Sequence, residues 1–219
     1  MNLINSFLGK QILVIISGVV QALDGVLIEI GQDVIVIKNL DNYLYIPTAH
    51  IKYVRKNLEG IPGPDNELSL PTQGTLTFET ILENGKGIFT EIFINGVHPL
   101  HGYIQKILSD YLVFHSPVFG TILVPLKHLK YLHPYPNETR PYALKHDDLQ
   151  TNSPVIPAEP TFTEQLKKME GKFIMIDLAD QPQKVGLLKS VHSPMIELVT
   201  SAGQSIFSMI EHIQTVNHP

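Results

Sequence analysis

Ten histidines are the most reactive side chains in this 219-residue sequence, which has no cysteine to offer a thiolate or a disulfide. Three of them fall at matched places: His50, His128 and His212 each stand before an apolar residue and after a β-branched or apolar run. A histidine in such a place could act as a base, a metal ligand or a nucleotide contact. It could equally be a fold element in a turn between the last two strands of a unit, bonded to nearby backbone. Periodic recurrence favours the second reading, because repeated positions encode the repeated structure. His98 and His101 are spaced three apart in an expected hairpin loop, and no third ligand is in view to complete a metal site. His146, Asp147 and Asp148 lie in a polar, proline-flanked stretch and read as solvated.

Other chemistry is sparse. No phosphate-binding glycine loop, nucleophile elbow or paired zinc histidines on a helix occurs. Lys86 lies between Gly85 and Gly87, which read as a helix end. Lys52-Tyr53 and Lys130-Tyr131 could stack bases, but a strand alternating an inward ring with an outward charge explains them as well. The formal charge of -5 argues against a phosphate backbone as partner. Catalytic, metal and cofactor-binding residues are therefore all expected to be none, with no small-molecule substrate and no enzyme activity.

The elements that position the histidines come from a threefold repeat. Gly9, Gly25 and His50 recur as Gly87, Gly102 and His128, and again as Gly171, Gly186 and His212. The first spacing is 16, 15 and 15 residues, and the second is 25, 26 and 26. Nine residues after the second glycine of each set begins a run rich in β-branched and aromatic side chains: Val34–Ile37, Tyr111–Phe114 and Met195–Val199. Turn formers precede each run, at Gly31-Gln32-Asp33, Ser109-Asp110 and Ser193-Pro194. Before the first glycine of each set, apolar residues follow helical spacing: Leu3, Ile4, Phe7 and Leu8; Phe78, Ile81 and Leu82; Phe162, Leu166 and Met169. Thr161 and Glu164 have capping-box spacing, and the glycine after each helix suits a left-handed C-terminal residue.

One copy is thus a short helix and about five short strands, near the lower size limit for a core of its own. Copies are expected over residues 1–57, 76–133 and 161–219. Proline-rich spacers are expected at 58–75 and 134–160. Strands this short and closely spaced are best satisfied by small barrels with few free edges. With 43% hydrophobic and 17% charged residues there is material for such cores. No secretory signal pattern appears, and the run Ile12–Ile16 is too short to span a bilayer, so synthesis in the cytoplasm and no membrane contact are expected.

Two resemblances follow from these segments. The closing segment with His-Ile or His-Leu resembles the second half of the Sm-like fold, whose bacterial RNA chaperone uses a lysine-histidine turn to touch RNA. Only Lys127-His128 has that order here, against Ala49-His50 and Glu211-His212. Across all three copies the chain resembles the spore coat protein B family of endospore-forming bacteria, which carry tandem modules closing in segments similar to His50-Ile51-Lys52 and His128-Leu129-Lys130. Asn95-Gly96-Val97-His98-Pro99 echoes that family's first-hairpin stretch, while its serine-rich tail is missing. The resemblance implies a mainly β protein of three tandem Sm-like/SH3-like barrels, each preceded by a short helix. It implies a structural role in the spore coat, deposited there after synthesis in the mother cell. The partners would be other coat proteins and further copies of the chain. An RNA-binding Sm-like protein is the alternative.

Overall fold

The computed structural model describes residues 3–40, 42–57, 76–94, 99–136, 141–143 and 157–218. They are mainly β. Numbered along the chain, the first copy of the repeat contributes β1 (Gln11–Ile16), β2 (Leu23–Ile30), β3 (Val34–Asn39), β4 (Asn42–Pro47) and β5 (Ile51–Lys56). The second contributes β6 (Phe89–Phe93), β7 (Leu100–Ile107), β8 (Tyr111–Ser116), β9 (Gly120–Pro125) and β10 (Tyr131–Pro134). The third contributes β11 (Phe173–Ile176), β12 (Val185–His192), β13 (Met195–Val199), β14 (Ser205–Met209) and β15 (Val216–Asn217).

Helices α1 (Phe78–Asn84) and α2 (Phe162–Lys168) precede the second and third copies. The first copy begins instead with a single 3₁₀ turn, Ile4–Phe7, that buries none of its residues fully. Thr77 and Thr161 cap the two α-helices, and Thr161 with Glu164 forms the full reciprocal capping box. The third copy also carries a left-handed stretch, Asp177–Ala179, with φ between 50° and 58°. No spacing in the sequence announced it.

The chain forms two compact units that cut across the copies. One comprises Met1–Leu100 with Leu129–Glu138, the other His101–His128 with Thr139–Pro219. In the first unit all neighbours are antiparallel and run β5-β1-β2-β3-β4-β10-β6. Its core gathers Ile12, Val14 and Ile16, the inward set of an alternating strand, with Leu27, Ile35, Ile37, Ile46, Phe93 and Tyr131. In the second unit the order is β14-β13-β12-β11-β15-β9-β8-β7, again antiparallel. Its core joins Tyr111, Val113 and Leu123 to Phe162 and Leu166 of α2, to Met169 just after it and to the inward residues of β11–β13.

Among the described residues each unit is an open ladder, with no pair joining its last strand to its first. The expected spacer 58–75 and His98 lie outside the described residues, as do most of 134–160 and His146, Asp147 and Asp148. Among the described residues no helix is long and apolar enough to cross a membrane.

Candidate interaction surface: the junctions between copies

The repeat landmarks occupy equivalent structural positions. Gly9, Gly87 and Gly171 have φ of +74°, +73° and +79°, the left-handed residue after each helical segment. Gly25, Gly102 and Gly186 serve differently. A Cβ on them would meet a backbone oxygen of the neighbouring strand at 2.6, 2.0 and 2.3 Å, from Lys38, His115 and Val199 respectively. Just beyond each of these glycines the pairing slips by one residue, between Leu27 and Glu29, Ile104 and Lys106, and Leu188 and Ser190. Such a bulge bends and twists the strand. The close approach and the bend belong together, since only a residue without a side chain lets the strands cross this tightly.

His50, His128 and His212 each end a 3₁₀ turn, Thr48–His50, Leu126–His128 and Ile210–His212. His50 and His128 make contacts well beyond their own turns. His50 Nδ1 lies 3.2 Å from Lys130 Nζ, which also donates to Ser17 Oγ at 3.3 Å. An ammonium can only donate, so Nδ1 of His50 is the acceptor. Burial pulls the Lys130 pKa down. His128 Nε2 is 3.0 Å from the Glu211 carbonyl. His212 is exposed. Two of the three histidines therefore reach into the following copy, to partners 80 and 83 residues away in the chain.

The same holds for two aspartates that the sequence presents only as turn formers. Asp33 Oδ1 accepts from Phe78 N–H at the start of α1, at 2.8 Å, while Gln32 N–H donates to the Leu76 carbonyl. In the second unit Asp110 Oδ1 accepts from Phe162 N–H at the start of α2, also at 2.8 Å, while Ser109 N–H donates to the Pro160 carbonyl. Each helix start thus has one of its unsatisfied N–H groups capped by the preceding copy. Strand pairing repeats the pattern. Tyr45 of β4 faces Leu132 of β10, and Leu123 of β9 faces Val216 of β15. One junction, made of a strand pair, an aspartate on a helix start and a histidine contact, is used twice. Pro194 stands where Asp33 and Asp110 stand, so the third copy has no carboxylate to offer a further helix.

Around the second junction lies a cavity of about 460 Å³ lined by Asp110, Lys127, Phe162, Pro194, Ile210 and Glu211 among others. Its charged groups are already engaged: Asp110 with the helix start, and Lys127 Nζ with Glu211 Oε2 at 2.6 Å. That ion pair holds the Glu211 carboxyl below its ordinary range. No cluster of three metal-ligating side chains occurs among the described residues. Tyr131 is buried and stacked on Phe93, with centroids 5.2 Å apart, whereas Tyr53 is 55% exposed. The inward-ring reading thus holds for Tyr131 and fails for Tyr53, which sits on an outermost strand.

A family model described as the YwrJ third domain matches residues 161–216. Over 223 aligned residues the chain is 34% identical to a protein of Bacillus subtilis (strain 168) described as uncharacterized protein YwrJ, covering 99% of each chain. No solved structure matches.

Proposed function

The chain belongs to the YwrJ family, and we propose that it is a non-enzymatic structural component of the bacterial spore coat, acting through protein–protein contacts. The observation that carries a structural role is the repeated junction. Sheet edges, a capping aspartate and a turn histidine are spent on holding one copy to the next, and the same device serves twice. Two of the three repeat histidines, His50 and His128, are thereby committed to assembly. The coat itself is assigned on the resemblance to the spore coat protein B modules. Synthesis in the mother-cell cytoplasm and deposition on the spore come with that assignment.

In this reading each copy is a small Sm-like/SH3-like barrel preceded by a short helix. Support comes from the matching strand orders β5-β1-β2-β3-β4 and β15-β11-β12-β13-β14, the shared bulge, and a family domain spanning 161–216. A fluorescent fusion expressed from the native promoter should ring the forming spore and stay with it through coat extraction. Diffuse mother-cell fluorescence throughout sporulation would end the coat assignment.

The RNA-binding alternative is disfavoured by the same contacts, because Lys127 and His128 are both bound to Glu211. It predicts salt-sensitive binding of uridine- or adenine-rich oligonucleotides that weakens in His50→Ala and His128→Ala. Binding of that kind at low salt would replace the structural reading.

A further inference from the structure

We propose that a second copy of this chain lays its β5 edge against β14 of the first, making for a third time the strand junction that the chain makes twice internally. The inference rests on the junction geometry and is independent of the coat assignment.

At both internal junctions the facing residues have fixed positions in the repeat. Tyr45 and Leu123 stand five residues before His50 and His128, and Leu132 and Val216 stand four residues after His128 and His212. The same offsets applied to the remaining ends give Phe207 on β14 and Val54 on β5. Among the described residues β14 pairs only with β13, and β5 only with β1. Phe207 is 64% exposed, whereas Leu123 at the equivalent place is 4% exposed under its junction. An unpaired edge that carries an exposed apolar side chain is a ready template for pairing with another chain.

The backbone is oriented to receive it. On β14 the bonds from Thr200 N–H to the Gln204 carbonyl and from Ile210 N–H to the Pro194 carbonyl bracket the pairing with β13. Antiparallel bonding alternates along a strand, so the N–H and C=O of Ser205, Phe207 and Met209 point away from β13, toward the free edge. The exposed Arg55 on β5 takes the repeat position of His133, whose Nδ1 lies 3.1 Å from the Tyr43 carbonyl at the first junction. At the new junction Arg55 would serve the Ser205 carbonyl in the same way.

Two consequences distinguish this contact. Pro194 replaces the capping aspartate, so the strand pair works without a docked helix, and association is reversible where the internal junctions are permanent. The interface is also head-to-tail. Each copy offers one edge of each kind, giving a closed ring if the rotation closes and a filament if it does not.

Sedimentation velocity and mass photometry of the full chain over a dilution series test the idea. The expected result is species larger than one chain that grow with concentration. Phe207→Lys should weaken association about tenfold or more, by setting a charge in the pair. Tyr53→Lys, next to Val54 on the β5 edge and facing Ser208 in the same register, should weaken it as well. A mixture of the two variants should restore a two-chain species, because each keeps the edge that the other lacks. Phe173→Lys, an equally exposed ring on a strand paired on both sides, should leave association unchanged. A single-chain mass at every wild-type concentration would overturn the proposal. So would undiminished association of both edge variants, failure of the mixture to recombine, or equal loss in Phe173→Lys.

Discussion

Replacing Gly102 by alanine should damage the protein far more than replacing Gly87, although both are landmarks of one repeat. A Cβ on Gly102 falls 2.0 Å from the His115 carbonyl oxygen, 2.8 Å from its carbon and 2.9 Å from Phe114 Cε1, where ordinary contact begins at 3.4 Å. The methyl must therefore drive β7 from β8 by more than an ångström locally. Hydrogen bonds tolerate a spread of only about half an ångström, so the bonds flanking the bulge are broken or bent. Losing about two backbone bonds at about 1 kcal/mol each, with overpacking strain of about 1–3 kcal/mol, gives a cost of about 3–5 kcal/mol.

Gly87 has nothing within 4 Å of its would-be Cβ, and its cost comes only from φ of +73°. That amounts to about 1–2 kcal/mol. Asparagine separates the two mechanisms. It tolerates the left-handed region, so Gly87→Asn should be milder than Gly87→Ala, whereas Gly102→Asn should be worse than Gly102→Ala. Urea unfolding followed by circular dichroism and tyrosine fluorescence reads the four variants, with slopes compared to check that the denatured state is unchanged. Equal midpoints for Gly87→Ala and Gly102→Ala would refute the close-approach reasoning, as would a Gly102→Asn no worse than the alanine.

Further outcomes follow from the same structure. Asp110→Ala and Asp33→Ala should each lower stability by about 1 kcal/mol through loss of a helix cap, read by chemical denaturation, while Ser193→Ala, in the same turn of the third copy, should be nearly silent. Asp177 is more demanding: its Oδ1 accepts from both Gln214 and Thr215 N–H while Oδ2 pairs with Lys184, so Asp177→Ala should cost about 3 kcal/mol in the same assay.

The imidazole of His115 supplies a pH test. Burial lowers its pKa, and its Nδ1 is buried without a hydrogen-bond partner among the described residues. A base whose folded pKa is depressed binds fewer protons folded than unfolded. Its contribution is therefore complete above the ordinary value of about 6.5 and is lost as pH falls through the lower folded value. Thermal melts from neutral to mildly acid pH should show that decline, and His115→Phe should flatten it.

Much of the local structure was legible in the sequence because it rests on short-range rules. The β-branched run Val34–Ile37 after its turn cluster marked a strand, and Thr161 with Glu164 marked a helix start. The spacing of Gly9, Gly87 and Gly171 marked left-handed residues after the helical segments. The short helix expected before the first copy is a single 3₁₀ turn, Ile4–Phe7, with no side-chain cap at its N-terminus. The left-handed turn at Asp177 was not legible, because its support comes from backbone 37 and 38 residues away.

The junctions were illegible for the same reason. Asp33 and Asp110 announce a turn, and nothing beside them in the chain says that the helix start they cap lies 45 and 52 residues further on. By itself the sequence determined that one β-rich unit recurs three times, since periodicity, caps and glycines are written residue by residue. That the compact units cut across those copies, and that edges and two of the histidines join one copy to the next, emerges only from the folded chain. Strand edges carry no side-chain code of their own: their bonding groups are the same peptide N–H and C=O everywhere, so which edges meet is set by where the whole chain folds.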